Sequence, residues 1–192
     1  MRIKILLTAL MLSVLCPGSG FSADLEKRAA ESREFISQYA NELKSRLRLA
    51  FLKGGAVKAI TVCSEEAPRI DRRFTVRSGC EIGRTSLKYR NPDNAPDQWE
   101  KKVLKKFKKQ NEAGRDPEDM ELYSVVKKDG KKYFRYMKAI KTEEVCLKCH
   151  GKSIAPEVEK KIDKFYPRDR ARGFSEGDIR GAFTLVQPIS NQ

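Results

Sequence analysis

"ELYSVVKKDGKKYFRYMKAI", residues 121 to 140, is the stretch whose reading decides the fold. Two runs rich in β-branched and aromatic residues flank Asp129-Gly130, a pair suited to a two-residue hairpin turn. Residues 121 to 128 and 131 to 140 are therefore expected to pair antiparallel. Outward from the hairpin, Asp97 and Glu100 form a capping box for a helix over about 98 to 110, with Trp99, Val103 and Phe107 as its apolar stripe. A strand is expected from Glu81 through Ile82, Leu87 and Tyr89, running out at the turn-rich "RNPDNAP". On the other side lie a short helix near 156 to 165 and a last strand in "RGAFTLVQPI". This order predicts an α+β fold, an antiparallel sheet with helices packed mainly on one side.

Residues 24 to 53 read as one long amphipathic helix, in which Leu25, Ala29, Ile36, Tyr39, Leu43, Leu47 and Ala50 recur at three- and four-residue steps. Gly54 and Gly55 end it. A second helical stretch puts Ala56, Ile60, Cys63, Ala67 and Ile70 on one face, so Cys63 is expected to point toward the core. The 192 residues suffice for one domain, expected over 24 to 192.

The first residues have the layout of a secretory signal. Arg2 and Lys4 are the charged region, Ile5 to Leu15 the short apolar core, and cleavage is expected after Ala23. Cys16 follows the bulky Leu15, which argues against lipidation. No other segment is apolar enough for a membrane anchor, so a soluble, periplasmic or otherwise exported chain is expected. The full chain carries +14 and loses Arg2 and Lys4 with the signal. Nucleic-acid binding is the usual reading of such basicity, but export argues against it. Lys101, Lys102, Lys105, Lys106, Lys108 and Lys109 instead give one helix a basic surface, either simply solvated or facing an acidic protein partner.

The second hairpin strand leads directly to "CLKCH", residues 146 to 150, which contains the only histidine. C-x-x-C-H is the attachment pattern for c-type haem. Two thiols about one turn apart can add to the two vinyl groups of a porphyrin, and the adjacent imidazole then meets the iron. Export is what this chemistry requires. A thioredoxin-like dithiol needs a strand-to-helix setting that is absent here. A zinc site from Cys63, Cys80, Cys146 and Cys149 lacks a close second ligand pair. One covalently attached haem c is expected, with Cys146 and Cys149 in thioether bonds and His150 on the iron. The sixth ligand is open among Met120, Met137, Cys63, Cys80, lysines, tyrosines or none.

Four blocks, "AITVCSEEAP" (59 to 68), "GRTSLKYRNPDNAPDQWE" (83 to 100), "CLKCHG" (146 to 151) and "YPRDRARGFSEGDIRGAF" (166 to 183), resemble a family of exported domains with a PAS-like fold and covalently bound c-type haem. The resemblance implies a PAS-like sheet with the haem held in the core. It also implies Cys63 as the ligand opposite His150, unless Cys63 pairs with Cys80 in a disulfide. Arg84, Arg90 and Arg180 lie in these blocks and are candidate partners for the haem propionates, which a guanidinium matches in bidentate fashion.

A thiolate opposite an imidazole stabilises Fe(III) and lowers the potential. Reduction is then expected to free Cys63 and open a site for a diatomic gas. The expected function is a redox or small-gas sensor that signals to a separate protein partner. The competing reading is a soluble electron-transfer cytochrome, and a zinc-binding structural protein is a further alternative. No acid–base set accompanies the metal, so no enzyme activity is expected.

Overall fold

The computed structural model describes residues 19–190. Residues 1 to 18, which hold most of the expected signal segment and Cys16, lie outside the described residues. The first helix, α1 (Ser19–Thr61), loses helical geometry at Gly54 and Gly55 and then resumes. Gly55 takes φ 62° with ψ −160°, a conformation essentially restricted to glycine. The glycines thus bend the helix where the sequence predicts a stop. The following stretch departs from a regular helix: Val62–Glu66 form a π-turn in which Ala67 N–H reaches back to Val62 O. Pro68 has no N–H for the carbonyl four residues earlier and its ring would clash with it, so the chain widens there before α2 (Ala67–Ser78) begins.

Four strands, β1 (Glu81–Thr85), β2 (Glu121–Lys128), β3 (Lys131–Lys141) and β4 (Ile179–Ile189), form one antiparallel sheet in the order β1-β4-β3-β2. The hairpin closes as predicted: Lys128 pairs with Lys131, and Asp129 and Gly130 both take positive φ, 50° and 76°. A two-residue turn with that geometry matches the right-handed twist of its strands.

Side chains alternate across the sheet. Ile82, Phe134, Tyr136 and Leu185 face α1 and α2, where they meet Ile36, Tyr39, Leu43, Ile70 and Phe74. On the other face, α3 (Gln98–Glu112) lays Val103, Leu104 and Phe107 over Met120, Met137, Ala139 and Ala182. The weight of helix on one face is therefore as expected, with α3 the helix that closes the other. Both halves of the predicted capping box form, Asp97 accepting from Glu100 N–H and Glu100 from Asp97 N–H. Glu100 also holds α3 to the sheet, accepting from Arg135 Nη2 (3.1 Å) and Thr184 Oγ1 (2.7 Å). Arg135 lies over the Trp99 ring at 4.5 Å.

The one-turn helix α4 (Leu147–His150) follows β3, and α5 (Pro156–Phe165) packs Val158, Ile162 and the following Tyr166 against Ile60 of α1. The end of β1, the end of β3 and the start of β4 lie at one end of the sheet, because all neighbours are antiparallel. The α4 turn that follows β3 packs its Cys149 into the cluster formed by Ile60 at the end of α1 and by Val158, Ile162 and Tyr166.

Candidate functional site

The C-x-x-C-H motif forms a helical turn capped by Cys146. Cys146, Cys149 and His150 are related by three and four residues and so share a face. The His150 ring is densely surrounded by protein, although part of the residue still meets solvent. Its Nδ1 lies 2.7 Å from Ala171 O. A carbonyl can only accept, so Nδ1 donates its proton, and the Nε2 lone pair is free for a metal. Burial, followed by the nearby Arg180 and Arg90 charges, keeps this imidazole neutral well below its ordinary pKa. Burial likewise pushes the Cys149 thiol up to about 11.

The segment after α5 straps the motif in place. Gly173 N–H donates to Gly151 O (2.9 Å) and Phe174 N–H to His150 O (3.0 Å). The Phe174 ring meets the imidazole edge-on, centroids 6.3 Å apart. Two clefts of about 510 and 410 Å³ flank the motif, but neither is lined by His150 or Cys63.

On the helix side, Cys63 sits on the π-turn, half-buried and unpaired. It is near enough to Arg84, Arg180, Cys149 and Tyr166 to bear on the ionisation of each. Cys80 is also an unpaired thiol, buried in the core beneath α1, so no Cys63–Cys80 disulfide is formed. Met120 and Met137 are fully buried under α3, on the far face of the sheet. Of the candidate sixth ligands, Cys63 is left at the site with Tyr166, whose hydroxyl burial raises to about 12 with Cys63 contributing. Among the described residues, no three of His, Cys, Asp or Glu come together as a metal cluster, so the zinc alternative gains no site.

The three arginines also converge here, but their surroundings differ. Arg84 stands 3.7 Å from Asp71, and its Nε is buried without a partner. Burial works against its charge, yet Tyr39 and Asp71 more than offset that and raise its pKa. Arg180 has no side-chain partner among the described residues; burial, then the Arg84 charge, lowers its pKa. Arg90, the third candidate partner for a propionate, is bonded to Asp169 (3.1 Å), Cys149 O (2.6 Å) and Ala171 O (3.3 Å). Asp169 is the residue that sequence reasoning missed. Its one signal was its place among the arginines of "YPRDRARGF".

The arrangement presents a neutral imidazole with Nε2 available, a half-buried thiol on the π-turn, and the Arg84 and Arg180 guanidiniums near the motif. No curated protein matches the chain. Its structure is similar to the crystal structure of the cyanobacterial heme-protein Tll0287, with a TM-score of 0.60 and 22% identity over 86% of this chain and 98% of that one. At that identity the likeness shows the fold. The Tll0287-like family model matches residues 22–188, from the start of α1 to the end of the last strand, and the chain belongs to that family.

Proposed function

We propose that the chain is an exported, monohaem c-type cytochrome-like protein of PAS-like build, serving as a redox or small-gas sensor module. The related Tll0287 is described as a heme-protein, and family membership brings that reading to this chain. The observation that supports it is the His150 ring, with Nδ1 tied to Ala171 O and Nε2 available, near Arg180, which has no acid beside it, and Arg84, whose Nε is unpartnered. A cation held in protein without an acid is costly, and the carboxylates of a porphyrin would satisfy these groups.

In this reading Cys146 and Cys149 would form the thioethers, His150 and Cys63 would hold the iron, and Arg84 and Arg180 would meet the propionates. A bound haem supplies one-electron redox chemistry and a site for diatomic ligands. The chain supplies the rest. A thiolate at Cys63 would favour the oxidised metal over the reduced one. Because Cys63 lies on the π-turn at the α1–α2 joint, a change in its bonding would be felt by both helices. No enzymatic role is proposed.

The test is the full chain expressed with cytochrome c maturation. Wild type and Cys63→Ala should both retain haem through denaturation, and their Soret bands and EPR signals should differ. Haem lost on denaturation overturns covalent attachment. A spectrum unchanged in Cys63→Ala removes Cys63 from the iron. An electron-transfer role is the second reading, favoured by the six lysines exposed together on α3.

A further inference from the structure

The side chains that hold His150 do so through the backbone of Ala171, and they form a closed set. The Asp169 side chain is 2% exposed and that of Arg90 10%. Asp169 Oδ1 accepts from Arg90 Nε at 3.1 Å and from Ala171 N–H at 2.9 Å. Its Oδ2 accepts from Arg172 Nε at 2.8 Å and from Arg90 Nη2 at 3.3 Å. Arg90 Nη2 also donates to Cys149 O within the motif, and to Ala171 O. Both peptides that meet at the Ala171 Cα are thus held, the N–H of one by Asp169 and the carbonyl of the next by Arg90 and His150 together.

We propose that Asp169 and Arg90 are the positioning pair for His150, fixing its ring orientation and its strength as a metal donor through the shared Ala171 carbonyl. This rests on the haem reading above. The physical reason lies in that shared acceptor. A carbonyl that also receives a cationic donor draws less on the imidazole proton, so the His150 ring is a weaker electron donor than it would be alone. Asp169 holds Arg90 in a fork that limits this competition. It also holds the Ala171 N–H, which fixes the backbone leading into Ala171 while Arg90 holds the carbonyl that the ring needs. A guanidinium suits this role because its fixed fork reaches a carboxylate and two carbonyls at once, which an ammonium cannot. Burial adds to the effect, since any of these groups left alone would be an unsatisfied polar group inside the protein.

The experiment uses the haem-loaded full chain and compares wild type with Arg90→Lys and Asp169→Asn. The Lys variant keeps the charge and loses the fork. Asp169→Asn keeps the shape and leaves Arg90 free to load the carbonyl, so its reduction potential should shift upward. In both, displacement of His150 by added imidazole should accelerate about tenfold or more. Glu159→Gln, which touches Arg172 at the surface and not Ala171, should leave both readouts at the wild-type values. If Asp169→Asn does not fold, Arg90→Lys decides alone. Wild-type displacement rates and potential in Arg90→Lys would overturn the proposal while leaving His150 ligation intact. A wild-type chain without covalent haem would overturn the haem reading itself.

Discussion

Arg180 carries its guanidinium into protein surroundings that offer it no acid among the described residues, with the Arg84 charge close by. Replacing such a group with an apolar side chain of similar length removes an uncompensated cation. Arg180→Met is therefore expected to leave the haem-free chain at an equal or higher Tm by calorimetry, while the haem-loaded form retains its cofactor less well. A lower Tm in the haem-free variant would mean that Arg180 has a structural partner. The sequence brought this residue, Arg84 and Arg90 forward together, because all three sit in the same recognisable blocks. It did not separate them. Arg90 differs from the other two through the Asp169 carboxylate and two carbonyls, and a backbone carbonyl leaves no mark in side-chain chemistry.

At the scale of elements, α3 shows how a local signal and a distant contact combine. The Asp97–Glu100 capping box was legible because it is written within four residues. The grip of Glu100 on Arg135 and Thr184 joins positions 35 and 84 residues apart. Arg135→Ala leaves Glu100 buried without its cation and should cost about 3 kcal/mol in chemical denaturation. The cap also sets a pH dependence. Burial works against the Asp97 charge, but the Glu100 N–H and Arg135 outweigh it and hold the carboxyl below its ordinary 3.8. A depressed carboxyl contributes fully above its unfolded value, and that contribution is lost as pH falls through the lower folded one. Wild type and Asp97→Asn should therefore differ in Tm at neutral pH and converge as pH falls below the ordinary carboxylate range. The π-turn at Val62–Glu66 is the element where a regular helical pattern misled. The apolar spacing continues through Cys63, and the break lies in the backbone bonding that Pro68 denies.

The whole molecule places two features on different sides of the sheet: the half-buried α1–α2 joint with Cys63, and the six exposed lysines of α3. The sensor reading predicts that reduction lowers hydrogen-exchange protection around residues 56 to 72, and that reversing four of the α3 lysines leaves this response intact. Exchange that is indifferent to reduction would favour the carrier. In that case charge reversal on α3 should slow electron exchange with an acidic partner about tenfold or more at low salt.

By itself the sequence determined the α+β order of elements, the hairpin at Asp129-Gly130, the α3 cap and the C-x-x-C-H turn. Each of these rests on residues close in the chain, where periodicity, turn chemistry and motif spacing act locally. The tertiary structure alone decided that Cys80, Met120 and Met137 pack into the core while Cys63 is half-buried on the π-turn, and that Asp169 and Arg90 grip the carbonyl behind His150. Those outcomes depend on the face of the sheet each residue reaches and on the backbone atoms that come within hydrogen-bonding distance. Both are set by strand register and helix packing between segments far apart in the chain.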